Sequence, residues 1–229
     1  MGKARDLARI IVNSSGAIDA TNLGNAIPAD GSITTAKLAN SAVTDAKIAA
    51  MAATKLTGQV ADANAPSGSV IQVVNKLYTD VFTTTGSQTT RIPVTDFYVD
   101  ITPISSSSKI LIIVNLSVGF SSTPEWSWFV DRTIGGTTTQ VGNATYVGNR
   151  MNGYHGGPQD TDAEVDELFS YSHNTLDSPS TTSSIRYQVC MQDRWVNYTA
   201  KYINRTGNDQ NTGFTTRGSS ALTVMEIAA

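Results

Sequence analysis

Two hydrophobic patterns divide the chain. From residue 70 onward, short runs rich in Val, Ile, Thr, Tyr and Phe are punctuated by Gly, Asn, Asp and Ser, the pattern of half-buried strands joined by turns. The runs predict strands at 70–77, 80–84, 89–92, 97–102, 108–119, 126–133, 137–141, 184–192, 194–203 and 220–227. Helical periodicity is nearly absent from this region. About ten closely spaced strands predict an antiparallel β-sandwich of jelly-roll type. In the last strand, Leu222, Val224 and Glu226 fall on one face, and Thr223, Met225 and Ile227 on the other. Apolar residues on both faces predict a central strand or one covered by a neighbouring subunit.

Before residue 70 the pattern differs. Leu7, Ile10 and Ile11 follow a helical spacing, with Lys3, Arg5, Asp6 and Arg9 on other faces, so a short amphipathic helix is expected over 3–12. A helix this short is marginal in water unless it packs against something, here expected to be another chain. Next comes a repeated phrase with two apolar residues five apart: Ile18 and Leu23 in a degenerate copy, then Ile33 and Leu38, Val43 and Ile48, Met51 and Leu56. Lys37, Lys47 and Lys55 precede the second apolar residue of the last three copies. Five-residue spacing suits neither a continuous helix nor a simple alternating strand. Two medium side chains per copy bury too little area, at about 25 cal/mol per Å², to offset roughly 1–2 kcal/mol of backbone entropy for each ordered residue. Three copies meeting about an axis could pool these pairs into a thin core, with Ile33, Leu38, Val43, Ile48 and Leu56 facing inward. The phrase therefore predicts a trimeric shaft rather than a flexible Ala/Thr/Ser linker. The chain is expected to divide into a segment at 1–30, a shaft at 31–68 and a sandwich at 69–229, with a Pro/Gly/Ser boundary at 64–69.

Composition narrows the functions. With 229 residues, 40% hydrophobic content and a net charge of −3, the chain can build a core but carries no overall basic field for nucleic acid. Its longest apolar runs fall far short of the roughly 20 residues of a membrane helix, and neither membrane insertion nor a signal peptide is expected. Cys190 is the only cysteine, which excludes an intrachain disulfide and favours a small buried side chain over a nucleophile.

The acidic and histidine residues form no enzyme signature. Asp160, Asp162 and Glu164 crowd one stretch, but crowding alone makes no groove of the kind glycoside hydrolysis needs. As a calcium loop the stretch has Val165 where Gly is required and Tyr171 where Glu is required. His155 and His173 lack partners at metal-ligand spacing. No Gly-x-Ser-x-Gly elbow or phosphate loop occurs. The expectation is a protein with no catalytic residue, metal or cofactor. Binding is the better prospect. Trp126 and Trp128 share a strand face at period two, Trp195 and Tyr198 lie in a later strand, and Tyr146 and Tyr154 occupy polar loops. Trp126, Trp128, Tyr146 and Tyr154 are the candidate surface-binding residues, with sugar rings as one class of partner. The alternative, that the tryptophans belong to the core or to a subunit interface, stays open. The loops at 143–160 and 160–183 are expected to carry partner contacts.

The repeat ITTAKLANSAVTDAKIAAMAATKLTG, the segments SGSVIQVVNKLYTDVFTTT and VDITPISSSSKILIIVNLSVG, and the closing ALTVMEIAA resemble tail-fibre-like structural proteins of tailed phages, particularly phages of aquatic bacteria and cyanobacteria. Most of the chain takes part, and residues 120–183 are individual. The resemblance implies a virion protein made in the host cytoplasm and assembled as a homotrimer. Leu7, Ile10 and Ile11 would belong to a virion anchor that meets other virion proteins, and the head would face outward, towards a host-surface glycan among other receptors. Two roles remain open within it: a host-contacting fibre, which is favoured, and a capsid decoration (cement or head-fibre) protein, which so short a shaft fits as well. A polysaccharide depolymerase is the third reading.

Overall fold

The computed structural model describes residues 65–85, 91–122, 125–142, 153–158, 165–193 and 199–229. Of the two units into which the chain divides, Met1–Gln59 and Val60–Ala229, only the second contains described residues. The expected N-terminal helix with Leu7, Ile10 and Ile11, the repeat with Ile33, Leu38, Val43, Ile48 and Leu56, and Tyr146 all lie outside them.

The described residues form strands and no helix: β1 Val70–Tyr78, β2 Phe82–Thr84, β3 Ile92–Ile101, β4 Lys109–Phe120, β5 Glu125–Ile134, β6 Thr137–Val141, β7 His155–Pro158, β8 Phe169–Asp177, β9 Ile185–Asp193, β10 Lys201–Ile203 and β11 Ser220–Ile227. One sheet runs β1-β11-β4-β8, with β10 and β2 continuing beside the end of β4; the other runs β3-β9-β5, with β6 and β7 each pairing part of β5. All named pairings are antiparallel. Strands successive in the chain largely alternate between sheets, and β1-β11-β4-β8 over β3-β9-β5-β7 is the double Greek key of a jelly roll. The expected sandwich is thus the observed one.

Alternation explains the core. On β4, Ile110, Ile112, Val114, Leu116 and Val118 turn inward and are fully or almost fully buried. They meet Val99, Ile101, Trp126, Trp128, Val130, Ile185, Tyr187 and Val189 from the other sheet. As expected, β11 is central, flanked by β1 and β4, with Leu222, Val224 and Glu226 inward.

Three expectations need correction. The separate strands at 89–92 and 97–102 are a single strand, β3, whose register shifts between Pro93 and Tyr98. Asp96 sits there at φ 58, a left-handed conformation that Asp tolerates better than most residues. This bulge lets Val94 and Phe97, three apart, both point inward. Second, the loops expected at 143–160 and 160–183 contain β7 and β8. β8 alternates, but its inward residues are Tyr171, His173, Thr175 and Asp177 behind Phe169, too polar to register as an apolar period. Third, the strand expected over 194–203 is Lys201–Ile203 among the described residues.

The registers give the sandwich two unlike ends. Val70 and Lys109 both pair with Ile227, while Asp177 pairs with Ile110 and Ile134 with Ile185. These residues mark the base, where the chain enters β1 and leaves β11. Tyr78, Phe120, Phe169, Asp193 and Ser220 lie towards the far end, and the loop 204–219 leaves from there.

Candidate functional site

The base is built from the segments that carry the sequence resemblance. Glu226 is fully buried, an unusual place for a carboxylate unless it is hydrogen-bonded. It accepts from Gln72 Nε2 at 2.5 Å and from the backbone N–H of Ile104 at 2.8 Å. Burial opposes its ionisation, but the donors Gln72 and the N–H groups of Ile104 and Ser105 outweigh it and hold the carboxyl below its usual range. One side chain thus ties together β1, the Ser-rich turn between β3 and β4, and β11. Gly68 N–H donates to Ala228 O at 2.8 Å and Ala228 N–H to Ser69 O at 2.9 Å, joining the segment that leads into β1 to the one that follows β11. Beside them lies a cavity of about 310 Å³ lined by Ala65, Ile71, Ile104, Ser105, Ser107, Ser108, Ala228 and Ala229.

Trp126, Trp128 and Tyr154 do not form the expected surface platform. Trp126 and Trp128 share a face of β5, but that face is the inner one and both are fully buried. Phe120 and Tyr171 flank the Trp126 ring, at 5.4 and 5.3 Å between centroids, and Tyr154 meets Trp128 edge-on at 5.2 Å. Tyr154 is half-buried, stacked on His173 at 3.9 Å. Burial raises the pKa of the Tyr154 hydroxyl, pushes Tyr171 up to about 12 and lowers that of His173. These aromatic rings fill the seam between β8 and β5. A period of two tells which residues share a face, not which face is buried, and the core reading of the tryptophans is the correct one.

Several acidic side chains are engaged structurally. Asp177 takes two bonds from Arg132, at 2.7 and 2.9 Å, and one from Tyr187 Oη at 2.7 Å. Asp131 is bonded by Arg91 at 2.8 Å and faces Cys190 Sγ at 3.5 Å. Burial, reinforced by Asp131, raises the pKa of the Cys190 thiol, which is buried as expected. Lys201 and Asp193 form a buried pair; burial drives the ammonium down and the carboxyl up, and their mutual contact opposes both shifts. No group of His, Cys, Asp and Glu among the described residues is arranged to hold a metal.

The far end presents a fixed loop. Residues 204–219 are clamped at their root by Asn204, at φ 65, whose Nδ2 donates to Tyr78 O at 2.8 Å and Asp80 O at 2.9 Å, and whose Oδ1 accepts from Ser220 Oγ at 2.7 Å. Gly207 lies so close to Phe120 O, and Gly119 to Arg205 O, that a Cβ on either glycine would collide with backbone. Higher up, Arg217 grips Asp209 through two bonds of 2.5 and 2.7 Å. On this scaffold Phe214 stands 80% exposed, among Gln210, Asn211, Thr212 and Thr215. Sequence reasoning passed over Phe214. Its signal was a lone aromatic in the neutral stretch Gln210–Thr216, next to Gly213.

Comparison with known proteins adds little to this geometry. No family model and no curated protein matches the chain. Among solved structures, the VP2 subviral particle of infectious bursal disease virus is 14% identical, with a TM-score of 0.32, covering 69% of this chain and 38% of its own. A structure of the Gx strain of the same virus gives 13%, 0.32, 68% and 37%. The chain thus spans well under half the length of either, and so slight a likeness transfers no function. What remains is the contrast between a tied base and a far end that holds an exposed aromatic on a braced loop.

Proposed function

We propose that the chain is a virion structural protein, a homotrimer of the tail-fibre-like kind that displays its sandwich for contact with the host surface. In this reading Leu7, Ile10 and Ile11 belong to the anchor on other virion proteins, and Ile33, Leu38, Val43, Ile48 and Leu56 line the trimer axis. The observation that carries it is the polarity of the sandwich. The sandwich is entered and left at one end, held by Glu226 and the Gly68–Ala228 bonds, while the loop 204–219 with Phe214 occupies the other. Such an arrangement suits a head attached by its base and read from its far end. An aromatic ring among amides and hydroxyls fits a neutral glycan, whose apolar ring faces stack and whose hydroxyls need donors and acceptors. The role needs no catalysis and no cofactor.

Immunogold labelling of virions that carry the chain is the deciding test. Label at the tail is expected; label spread over the shell would overturn host attachment in favour of capsid decoration. Purified chain incubated with host polysaccharide is expected to leave its length unchanged, and shortened product would establish a depolymerase instead. Replacing Val43 and Ile48 together by Asp should convert trimers to single chains of 24.3 kDa in sedimentation, and unchanged trimers would remove those residues from the axis.

A further inference from the structure

The far end of the core holds a pair of reactive side chains that the proposed function does not use. Lys201 on β10 lies directly across from Phe120 on β4, and Asp193 at the end of β9 lies directly across from Trp126 on β5. Opposed residues of antiparallel strands share a face, and all four are 2% exposed or less. The Phe120 and Trp126 ring centroids are 5.4 Å apart, and Lys201 Nζ meets Asp193 Oδ2. The pair thus links one sheet to the other within an aromatic layer of the core. Two full charges are poorly served there. Among the described residues, Asp193 Oδ1 has no hydrogen-bond partner, nor has the indole N–H of Trp126 opposite it. Asp193 is likewise the acceptor that meets Lys201 Nζ, although an ammonium carries three donors. Ions taken out of water are costly unless their remaining donors and acceptors are satisfied. Burial accordingly drives Lys201 towards the free amine and Asp193 towards the acid, against their mutual attraction. Amine and acid are the forms that condense.

We infer that Lys201 and Asp193 join covalently, as a side-chain amide between Nζ and Cγ. The Nζ lone pair attacks Cγ of the protonated carboxyl, the Nζ–Cγ bond forms and one Cγ–O bond breaks; the departing hydroxyl takes a proton from nitrogen and leaves as water. Neither an oxidant nor a second reactant is needed. In bulk water hydration of ammonium and carboxylate opposes this step. In the core neither ion keeps its hydration, and fixed contact replaces the chance encounter. A lysine whose ammonium is destabilised by burial is the form in which lysine acts as a nucleophile. The product suits its surroundings better than the reactants, since one N–H and one C=O replace two charges and a bare carboxylate oxygen. The amide closes residues 194–200 into a ring and ties β9 to β10 across the sandwich. It also fixes the root of the loop 204–219, because Asn204 follows β10 directly. The bond depends on neither the trimer nor the receptor.

Mass spectrometry of the purified full chain tests this. The intact mass is expected to fall below that of the sequence by one water in the parent, and not in Lys201→Arg, whose guanidinium stays protonated and is no nucleophile. After trypsin, cleavage at Arg194 is expected to leave peptide 187–194 joined to 195–205, uncut after Lys201. Separate peptides 187–194 and 195–201 from the parent would overturn the bond even with a water missing, since a succinimide at Asp193 loses the same mass. An intact parent mass equal to that of the sequence would overturn it as well. The digest of the parent decides the matter whether or not Lys201→Arg folds.

Discussion

Glu226 shows how much one residue can decide. Its carboxylate is buried and satisfied by donors from three segments, so replacing it by Gln, which turns one acceptor into a donor facing other donors, should cost about 1–3 kcal/mol. Urea denaturation followed by tryptophan fluorescence measures this. The carboxyl's folded pKa lies below the unfolded one, so its contribution is present at neutral pH and is lost as pH falls below about 4.5 and through the folded value. The Glu226→Gln variant should therefore lose less stability on acidification than the parent. Lys201 and Asp193 behave differently because both are buried. Lys201→Met strands a carboxylate and should cost about 3–5 kcal/mol, whereas Lys201→Met combined with Asp193→Leu should recover most of it. At the surface, Phe214→Ala should alter stability by no more than about 0.5 kcal/mol, so any loss of host-cell binding by the purified chain would report the contact itself.

At the level of elements, the bulge in β3 and the glycine-packed loop 204–219 matter most. Gly207→Ala places a methyl group against Phe120 O; backbone cannot yield as a flexible side chain does, and a cost of about 1–3 kcal/mol is expected. Amide exchange should then rise in residues 204–219 while β4 and β11 stay protected. The strand pattern was legible for β1, β4, β5, β9 and β11 because most of their inward residues are apolar. β8 escaped notice because it buries Tyr171, His173 and Thr175 opposite Trp126 and Trp128, a polar-aromatic seam with no apolar period. Trp128→Ala should cost about 3–5 kcal/mol through loss of core volume, measured by urea denaturation, as befits a core residue and not a ligand platform.

At the scale of the sandwich, asymmetry is the main result: a base that joins the segment before β1 to the one after β11, a far end that carries the braced loop 204–219, and an outer row of Val73, Met225, Leu111 and Leu176 on one sheet. Each asymmetry arises from register. Pairing Val73 with Met225, Met225 with Leu111 and Leu111 with Leu176 aligns residues from four distant parts of the chain, and a slip of one residue on any strand would send that strand's member to the core.

Alternation along single strands was enough to determine the β-class and which residues of a strand share a face, as in β11, since side chains on a strand obey a local period of two. Whether Trp126 and Trp128 faced in or out, what Glu226 was bonded to, and which residues made a continuous row across the sheet were decided by tertiary structure. Those properties depend on strands far apart in sequence coming into register, which no local period records.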